Sequence, residues 1–163
     1  MKTQVAIIGG GPAGLLLSHL LHQAGVDSVV LEHRSRAQVQ SRIRAGVLEQ
    51  GTVDLLRSCG LGERMDKEGH PHDGMKVAWA GQQSFFIDVR KNVGKRFMAY
   101  GQTQIQEDLH AACDARSARV IHEALNVALH EVTSEAPYVT FDQAGQSQRL
   151  DCQFIAGCDG FHG

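Results

Sequence analysis

The stretch Gly9-Gly10-Gly11-Pro12-Ala13-Gly14 decides the fold, because it joins a strand pattern to a helix pattern. Val5-Ala6-Ile7-Ile8 before it is typical of a buried parallel strand, and the leucines after it continue as a helix that ends at Gly25. Glycines spaced as G-x-G-x-x-G allow a tight turn, close approach of the backbone to a pyrophosphate, and close packing of the helix on the strand. The stretch therefore predicts the start of a dinucleotide-binding βαβ unit.

A second strand pattern continues this unit. Ser28-Val29-Val30-Leu31 is apolar and ends at Glu32, whose carboxylate can accept hydrogen bonds from both hydroxyls of an adenosine ribose. The N-terminus of the first helix offers free N–H groups and a partial positive charge to phosphates. A glycine-rich turn in another kind of α/β domain is the alternative, but it leaves Glu32 without a role.

Length and composition are those of one globular domain. The chain has 163 residues and a formal net charge of -2, which gives no reason to expect nucleic acid or an anionic membrane as a partner. Its four cysteines form no C-x-x-C pair, so we expect reduced thiols in a cytoplasmic protein. The apolar run near the N-terminus is broken by the glycines and is too short for a membrane span.

The middle of the chain alternates between helix and turn signals. Val47, Leu48, Val53, Leu55 and Leu56 predict a helix that Gly60 closes. Residues 69–74 read as a turn, and its His70-Pro71-His72 predicts no metal site because no other ligand lies at a suitable spacing. Alternation in 75–79 and an apolar run in 85–87 predict a hairpin.

A helix and several strands complete the pattern. Thr103 and Gln106 predict a capping box for a helix whose buried face comprises Ile105, Leu109, Ala112 and Cys113. Short strands are then predicted around 120–121, 125–129 and 138–141, and an apolar run over 152–158 is expected to rejoin the central sheet. A βαβ core, a crossover helix, an antiparallel meander and a returning strand favour the flavin-binding version of the Rossmann fold, an α/β class.

Three further places carry groups that suit a flavin nucleotide. Arg42 and Arg44 can hold an anionic phosphate or the rim of a flavin, or can form a solvated basic loop. Asp159-Gly160 ends the last strand, where a carboxylate can accept a ligand hydroxyl, although Asp-Gly pairs are usually turns. Gln102 can donate to a phosphate or ribityl group, or is simply a polar residue of the first helical turn.

Together these motifs resemble those of the single-component flavoprotein aromatic hydroxylases, over the whole chain. The resemblance is carried by the glycine motif with Glu32, by Arg42-Ile43-Arg44-Ala45-Gly46-Val47-Leu48-Glu49, by Tyr100-Gly101-Gln102-Thr103, and by Ile155-Ala156-Gly157-Cys158-Asp159-Gly160-Phe161-His162-Gly163. It implies one non-covalent FAD, reduction by NADPH, and hydroxylation of 4-hydroxybenzoate to 3,4-dihydroxybenzoate with O2. The implied FAD-binding residues are Gly9, Gly11, Ala13, Gly14, Glu32, Arg42, Ile43, Arg44, Ala45, Gly46, Val47, Gln102, Asp159 and Gly160.

The resemblance also implies a site for the pyridine nucleotide, formed by His33, Arg34, Gln38, Arg44 and His162. Family members that use NADPH commonly have an Arg-Gln pair after the glutamate and a tyrosine a few residues later. This chain has His33, Arg34 and Gln38 there, so NADH is a possible co-substrate, although Arg34 and Arg36 are able to bind a phosphate.

The family's phenol-binding residues have no counterpart within residues 1–163. We therefore expect this sequence to be an incomplete N-terminal FAD-binding domain, whose 74–100 hairpin extends toward a substrate domain absent from it. No catalytic residue is then expected here beyond a role for Arg44 in flavin positioning, and the isolated chain is predicted to be inactive. The full-length protein is expected to be a homodimer. A hydroxylase of another phenolic acid and a non-catalytic nucleotide-binding module are the alternatives.

Overall fold

The glycine-rich stretch lies between a buried strand and a helix, as the sequence predicts. In the computed structural model, which describes residues 1–42, 44–81 and 83–161, strand β1 spans Val5–Ile8 and helix α1 spans Pro12–Gln23. Gly25 follows α1 with φ of +73°, a conformation that favours glycine. The predicted strand, loop and helix are confirmed, with Pro12 at the first position of α1.

The remaining elements follow in chain order. The strands are β2 Ser28–Glu32, β3 Val47–Glu49, β4 His70–His72, β5 Gly74–Val77, β6 Phe85–Asp88, β7 Phe97–Ala99, β8 Arg119–His122, β9 Leu125–His130, β10 Tyr138–Gln143, β11 Gln146–Asp151 and β12 Phe154–Gly157. The helices are α2 Arg36–Gln40, α3 Gln50–Ser58, α4 Glu63–Glu68, α5 Val89–Val93 and α6 Gln102–Ala115. The described chain divides into two compact units, one of residues 1–43 with 106–163 and one of residues 44–105.

A parallel sheet in the order β12-β1-β2-β8 forms the centre of the first unit. Val5 pairs with Ser28 on one side and with Phe154 on the other, so the returning strand joins β1 as predicted. The strands β1 and β2 are short apolar runs buried on both faces, which is the usual pattern of a parallel sheet. This order places the carboxyl ends of β1, β2 and β12 side by side.

The predicted antiparallel meander is the sheet β9-β10-β11. Its inward side chains Val139, Phe141 and Leu150 are buried with Ala6, Val29 and Leu31 of the parallel sheet. Alternation in β10 therefore places its apolar residues on the side that meets the parallel sheet. This shared core holds the parallel strands, and with them their carboxyl ends, in a fixed position.

The second unit confirms the predicted hairpin and corrects two predictions. Strands β5 and β6 pair antiparallel, but Val47 and Leu48 lie in β3 rather than in the helix, which starts only at Gln50. The stretch His70–His72 is strand β4 rather than a turn. The reason is pairing: β7 lies between β3 and β4, and Pro71 is tolerated because β4 is an edge strand that needs fewer N–H donors.

Two helix starts also differ from expectation. Helix α6 begins at Gln102, so Thr103 is not its cap, and the side-chain amide of Gln106 donates instead to the carbonyl of Gly10. A capping box does occur at α2, which the sequence did not predict, where Ser35 and Gln38 exchange side-chain and backbone hydrogen bonds. In the described residues, no helix is both long enough and apolar enough to cross a membrane.

Candidate cofactor-binding site

The start of the glycine loop lies against the end of β12. Gly9 has φ of +109°, and a Cβ there would lie 2.6 Å from the carbonyl carbon of Cys158 and 2.8 Å from the nitrogen of Asp159. The amide of Cys158 donates to the oxygen of Ile8 at 2.7 Å. Only glycine suits Gly9, because both its backbone conformation and its neighbours exclude a side chain. The loop and the Asp159-Gly160 segment therefore lie together, as predicted.

Gly14 and Gly11 are glycines for different reasons. A Cβ on Gly14 would overlap the carbonyl oxygen of Gly9 and lie 3.2 Å from Cγ2 of Ile7, so Gly14 allows α1 to pack closely on β1. Gly11, with φ of -74°, would accept a Cβ with nothing within 4 Å. Neither packing nor conformation of the protein requires glycine there. Open space at the N-terminus of α1 is where a phosphate group would approach the backbone.

Glu32 is fixed beside the loop by backbone hydrogen bonds. Its side chain is buried, with the residue only 5% exposed, and its Oε2 accepts the N–H of Gly10 at 2.7 Å. Its Oε1 accepts the N–H of Arg34 at 2.9 Å and lies 3.2 Å from Nδ1 of His33. A carboxylate has about four acceptor positions, so the two backbone bonds leave capacity for a ligand hydroxyl.

A buried polar pair on α6, which the sequence analysis missed, holds the other side of Gly10. Nε2 of Gln106 donates to the oxygen of Gly10 at 2.8 Å and lies 3.2 Å from Nε2 of His110. Burial lowers the pKa of His110 to about 4, and electrostatic interactions with Arg36 and His122 lower it further. His110 is therefore neutral at pH 7 and can accept from Gln106. The signal was available: two polar residues four apart lie on the same stripe as Ile105, Leu109 and Cys113.

The end of the last strand offers exposed groups next to the loop. Asp159 and Gly160 are exposed, and Gly160 has φ of +93°, so a side chain there would be strained. The thiol of neighbouring Cys158 has a raised pKa because of burial, with the charge of Asp159 adding to it. Asp159 is therefore available to a ligand, whereas Cys158 is not an activated nucleophile.

The second unit brings the other predicted flavin contacts together. The N–H of Tyr100 donates to the oxygen of Gly46 at 2.9 Å, and a Cβ on Gly46 would lie 2.5 Å from Cα of Gly101. Gly46 thus permits the segment with the exposed residues Arg44, Ala45 and Val47 to run beside the residues that precede Gln102. Arg42, at the end of the first unit's opening segment, is also exposed, and Ile43 lies outside the described residues.

The predicted pyridine-nucleotide segment is partly engaged within the protein. Arg36 forms a bidentate pair with Asp114, with donor–acceptor distances of 3.0 and 2.7 Å, and this hydrogen bonding raises the pKa of Arg36. Gln38 uses its side-chain oxygen as the acceptor in the capping box of α2. His33 is exposed beside Glu32, and Arg34 is partly buried. His162 lies outside the described residues.

One cavity, of about 430 Å³, lies in the second unit but contains none of the predicted cofactor residues. Its arginines are paired, Arg57 with Asp66 at 2.8 Å and Arg96 with Asp73 at 2.6 Å. Two neutralised arginines give a dinucleotide little electrostatic attraction. The glycine loop, whose chemistry suits a dinucleotide, is therefore the better candidate site.

The cysteines and the potential metal ligands form no reactive-thiol site and no metal site in the described part of the chain. All four cysteines are free, and burial is the largest cause that raises the pKa of each thiol, as expected for reduced structural cysteines. No group of three or more His, Cys, Asp and Glu side chains among residues 1–42, 44–81 and 83–161 could hold a metal ion.

Comparison with known proteins agrees with this geometry. The sequence profile of a family described as FAD binding domain matches residues 2–163. This chain belongs to the FAD-binding domain family. It is 45% identical to the p-hydroxybenzoate hydroxylase of Acinetobacter baylyi, across 100% of this chain and 40% of that protein. It is 29% identical to the FAD-dependent monooxygenase penE of Penicillium thymicola, across 98% of this chain and 33% of the relative.

Solved structures show the same fold. The anhydrotetracycline hydroxylase OxyS of Streptomyces rimosus superposes with a TM-score of 0.79 and 25% identity, over 98% of this chain and 32% of that one. The p-nitrophenol 4-monooxygenase PnpA of Pseudomonas putida superposes with a TM-score of 0.82 and 19% identity, over 99% of this chain and 42% of that one. The chain thus spans about two fifths or less of the length of these relatives.

The site fits the cofactor that the family binds. Gly11 leaves open space at the N-terminus of α1. The buried carboxylate of Glu32 lies beside the same loop, where it accepts the N–H of Gly10, the residue before Gly11. A pyrophosphate suits the former and a ribose hydroxyl suits the latter. The expectation of FAD from the sequence is confirmed by the family match, whereas the individual contacts stay predictions.

Proposed function

We propose that this chain is the FAD-binding part of a 4-hydroxybenzoate 3-monooxygenase, which converts 4-hydroxybenzoate to 3,4-dihydroxybenzoate with NAD(P)H and O2. The observation that carries the proposal is identity of 45% to a p-hydroxybenzoate hydroxylase along the entire chain. The loop geometry supports the FAD part of it, because Gly11 leaves open space at the N-terminus of α1, where a pyrophosphate would approach the backbone.

Different residues of the chain would bind different parts of the dinucleotide. The N–H groups at the start of α1 bind the pyrophosphate, and the Glu32 carboxylate accepts a ribose hydroxyl. In the first unit, Arg42 and Asp159 are proposed to bind further phosphate, ribityl or flavin groups through charge and hydrogen bonds. The family resemblance separately implies such contacts for Arg44 and Gln102 of the second unit. FAD held by these residues would supply the redox chemistry, namely hydride acceptance and reaction with O2.

The pyridine nucleotide is proposed to bind through the segment after Glu32, and the family resemblance separately implies a contact from Arg44 of the second unit. Arg34 offers a guanidinium to a 2′-phosphate, whereas Arg36 is already held by Asp114. NADPH is therefore proposed as co-substrate, with NADH as the second possibility. The full-length protein is proposed to be a cytoplasmic homodimer.

The activity is tested on the full-length polypeptide that carries this chain. Purified protein loaded with FAD is assayed for NADPH and NADH oxidation and for O2 consumption, with 4-hydroxybenzoate, 3-hydroxybenzoate or salicylate. We expect 4-hydroxybenzoate to stimulate oxidation and 3,4-dihydroxybenzoate to accumulate in equal amount to the O2 consumed. Stimulation by another phenolic acid alone would assign a different hydroxylase of this family, and FAD binding without oxidation would favour a non-catalytic module.

The cofactor site is tested with two matched glycine substitutions. Gly11→Ala and Gly51→Ala each add a methyl group where nothing lies within 4 Å, but only Gly11 lies in the proposed site. We expect Gly11→Ala to weaken FAD binding at least tenfold, because the methyl group occupies the path of the pyrophosphate, with the free energy of unfolding unchanged. Gly51→Ala should bind FAD as the wild type does. Equal FAD affinity in both variants, measured by quenching of flavin fluorescence, would contradict this placement.

A further inference from the structure

The peptide between Gly10 and Gly11 is fixed by a hydrogen bond from a buried side chain to its carbonyl oxygen. The carbonyl of Gly10 accepts from the buried amide of Gln106 at 2.8 Å, while the N–H of Gly10 donates to Glu32 at 2.7 Å. Gln106 is only 4% exposed, so the carbonyl points into the protein. In a trans peptide the next N–H points in the opposite direction. The Gly11 N–H is thus directed away from Gln106, and a Cβ on Gly11 would also meet nothing within 4 Å.

The Gly10 carbonyl requires the nitrogen of the Gln106 amide on its side, and His110 supports this orientation in the tautomer whose Nε2 carries no proton. The amide nitrogen lies within hydrogen-bond distance of both the Gly10 oxygen and Nε2 of His110, at 2.8 and 3.2 Å. An NH2 group has two protons and can serve both acceptors. A flipped amide would instead set its oxygen against the Gly10 oxygen. The buried imidazole, 1% exposed, therefore stabilises the single orientation that holds the carbonyl inward.

We propose that Gln106 is a positioning residue for the cofactor, which aims the Gly11 N–H at the pyrophosphate of FAD, and that His110 keeps the Gln106 amide in the required orientation. This inference rests on the proposed placement of FAD at the glycine loop. It gives Gln106, which the sequence predicted only as part of a capping box, a different role, and it adds His110, which neither motif spacing nor the family resemblance singled out.

The reason that such support matters is geometric. A loop rich in glycine has many accessible backbone conformations, and an unsupported loop loses that freedom only when the ligand binds. Gln106 holds the Gly10–Gly11 peptide through its carbonyl, and Glu32 holds the preceding Gly9–Gly10 peptide through its N–H. The Gly11 donor is therefore presented without this cost, which is the general advantage of preorganised binding groups.

The test uses the full-length polypeptide with two probes, FAD and adenosine. Gln106→Met keeps the size of the side chain but removes its donors, and Gln106→Glu keeps its shape. His110→Leu removes the acceptor, whereas His110→Gln can retain one. The matched control is Gln23→Met, an exposed glutamine on α1. Affinity is measured by fluorescence quenching for FAD and by calorimetry for adenosine, and the bound pyrophosphate is observed by 31P NMR.

We expect Gln106→Met to weaken FAD binding about tenfold, as for loss of one well-placed hydrogen bond, and to shift the 31P resonances of the bound pyrophosphate. Adenosine affinity should stay within about twofold of the wild type, because adenosine has no phosphate. His110→Leu should act in the same direction, and His110→Gln and Gln23→Met should resemble the wild type.

Three results would overturn this inference. Unchanged FAD affinity and unchanged 31P resonances in Gln106→Met would show that the amide does not position the pyrophosphate donor. Equal losses for FAD and adenosine would show a general structural role instead. Failure of the wild-type protein to bind FAD would refute the proposed function itself. If the wild type binds FAD and Gln106→Met binds it equally well, only the positioning role is refuted. Gln106→Glu serves as the second variant should Gln106→Met fold poorly.

Discussion

Acidification should destabilise this protein through His110, whose environment favours the neutral imidazole. The residue is 1% exposed, and burial is the main cause that lowers its pKa from the ordinary 6.5 to about 4. The charges of Arg36 and His122 act in the same direction, while Asp114 and Glu32 partly oppose them. Protonation would also remove the acceptor that His110 offers to Gln106.

The sign and size of the effect follow from proton binding. Between pH 6.5 and about 4 the unfolded chain binds a proton at His110 more readily than the folded protein does, so the free energy of unfolding falls as the pH falls. With these two values, the loss from pH 7 to pH 5 is about 2 kcal/mol, and full protonation costs about 3 kcal/mol. Above pH 7 the contribution is complete and constant.

The assay is urea unfolding of the cofactor-free protein at pH 7, 6 and 5. His110→Gln removes the titrating group but keeps a hydrogen-bond acceptor, so we expect it to lose about 2 kcal/mol less than the wild type over this range. His22→Gln, at an exposed position on α1, is the matched control and should follow the wild type. Equal pH dependence of the wild type and His110→Gln would refute the assignment of a buried neutral imidazole.

Two further substitutions test the packing of the loop and the pyridine-nucleotide segment. Gly14→Ala should lower the free energy of unfolding by about 1–3 kcal/mol in urea titrations, because its Cβ overlaps the backbone oxygen of Gly9; a stability like that of Gly11→Ala would contradict the close packing. Asp114→Asn weakens the exposed pair with Arg36, at a cost of about 0.2–1 kcal/mol, and should raise the ratio of kcat/KM for NADPH over NADH in the full-length enzyme. An unchanged ratio would show that Arg36 does not reach the 2′-phosphate.

Local sequence patterns were sufficient to predict the central βαβ unit and, within the candidate site, the glycine loop and Glu32. Residues 5–32 comprise an apolar strand, a glycine-rich turn, a leucine-rich helix and a second apolar strand. Each of these patterns depends only on nearby residues. They predicted β1, α1, β2 and the position of Glu32. The return of β12 to the central sheet was also predictable, since its apolar run suits a strand buried beside β1.

Tertiary structure decided what depends on partners far away in the chain. Val47 and Leu48 fit a helical pattern, but they form β3 because β7, fifty residues later (97 − 47), supplies their hydrogen bonds. Likewise His70–His72 is a strand only because β7 pairs with it.

The same distinction applies within the site. The amino-acid sequence by itself determined where the glycines, the acidic strand end and the last strand lie, because turn geometry and apolar periodicity are local properties. It did not determine that Gln106 would meet Gly10, ninety-six residues away, or that burial would keep His110 neutral. A buried polar side chain acquires its partner and its charge state only when the chain packs around it.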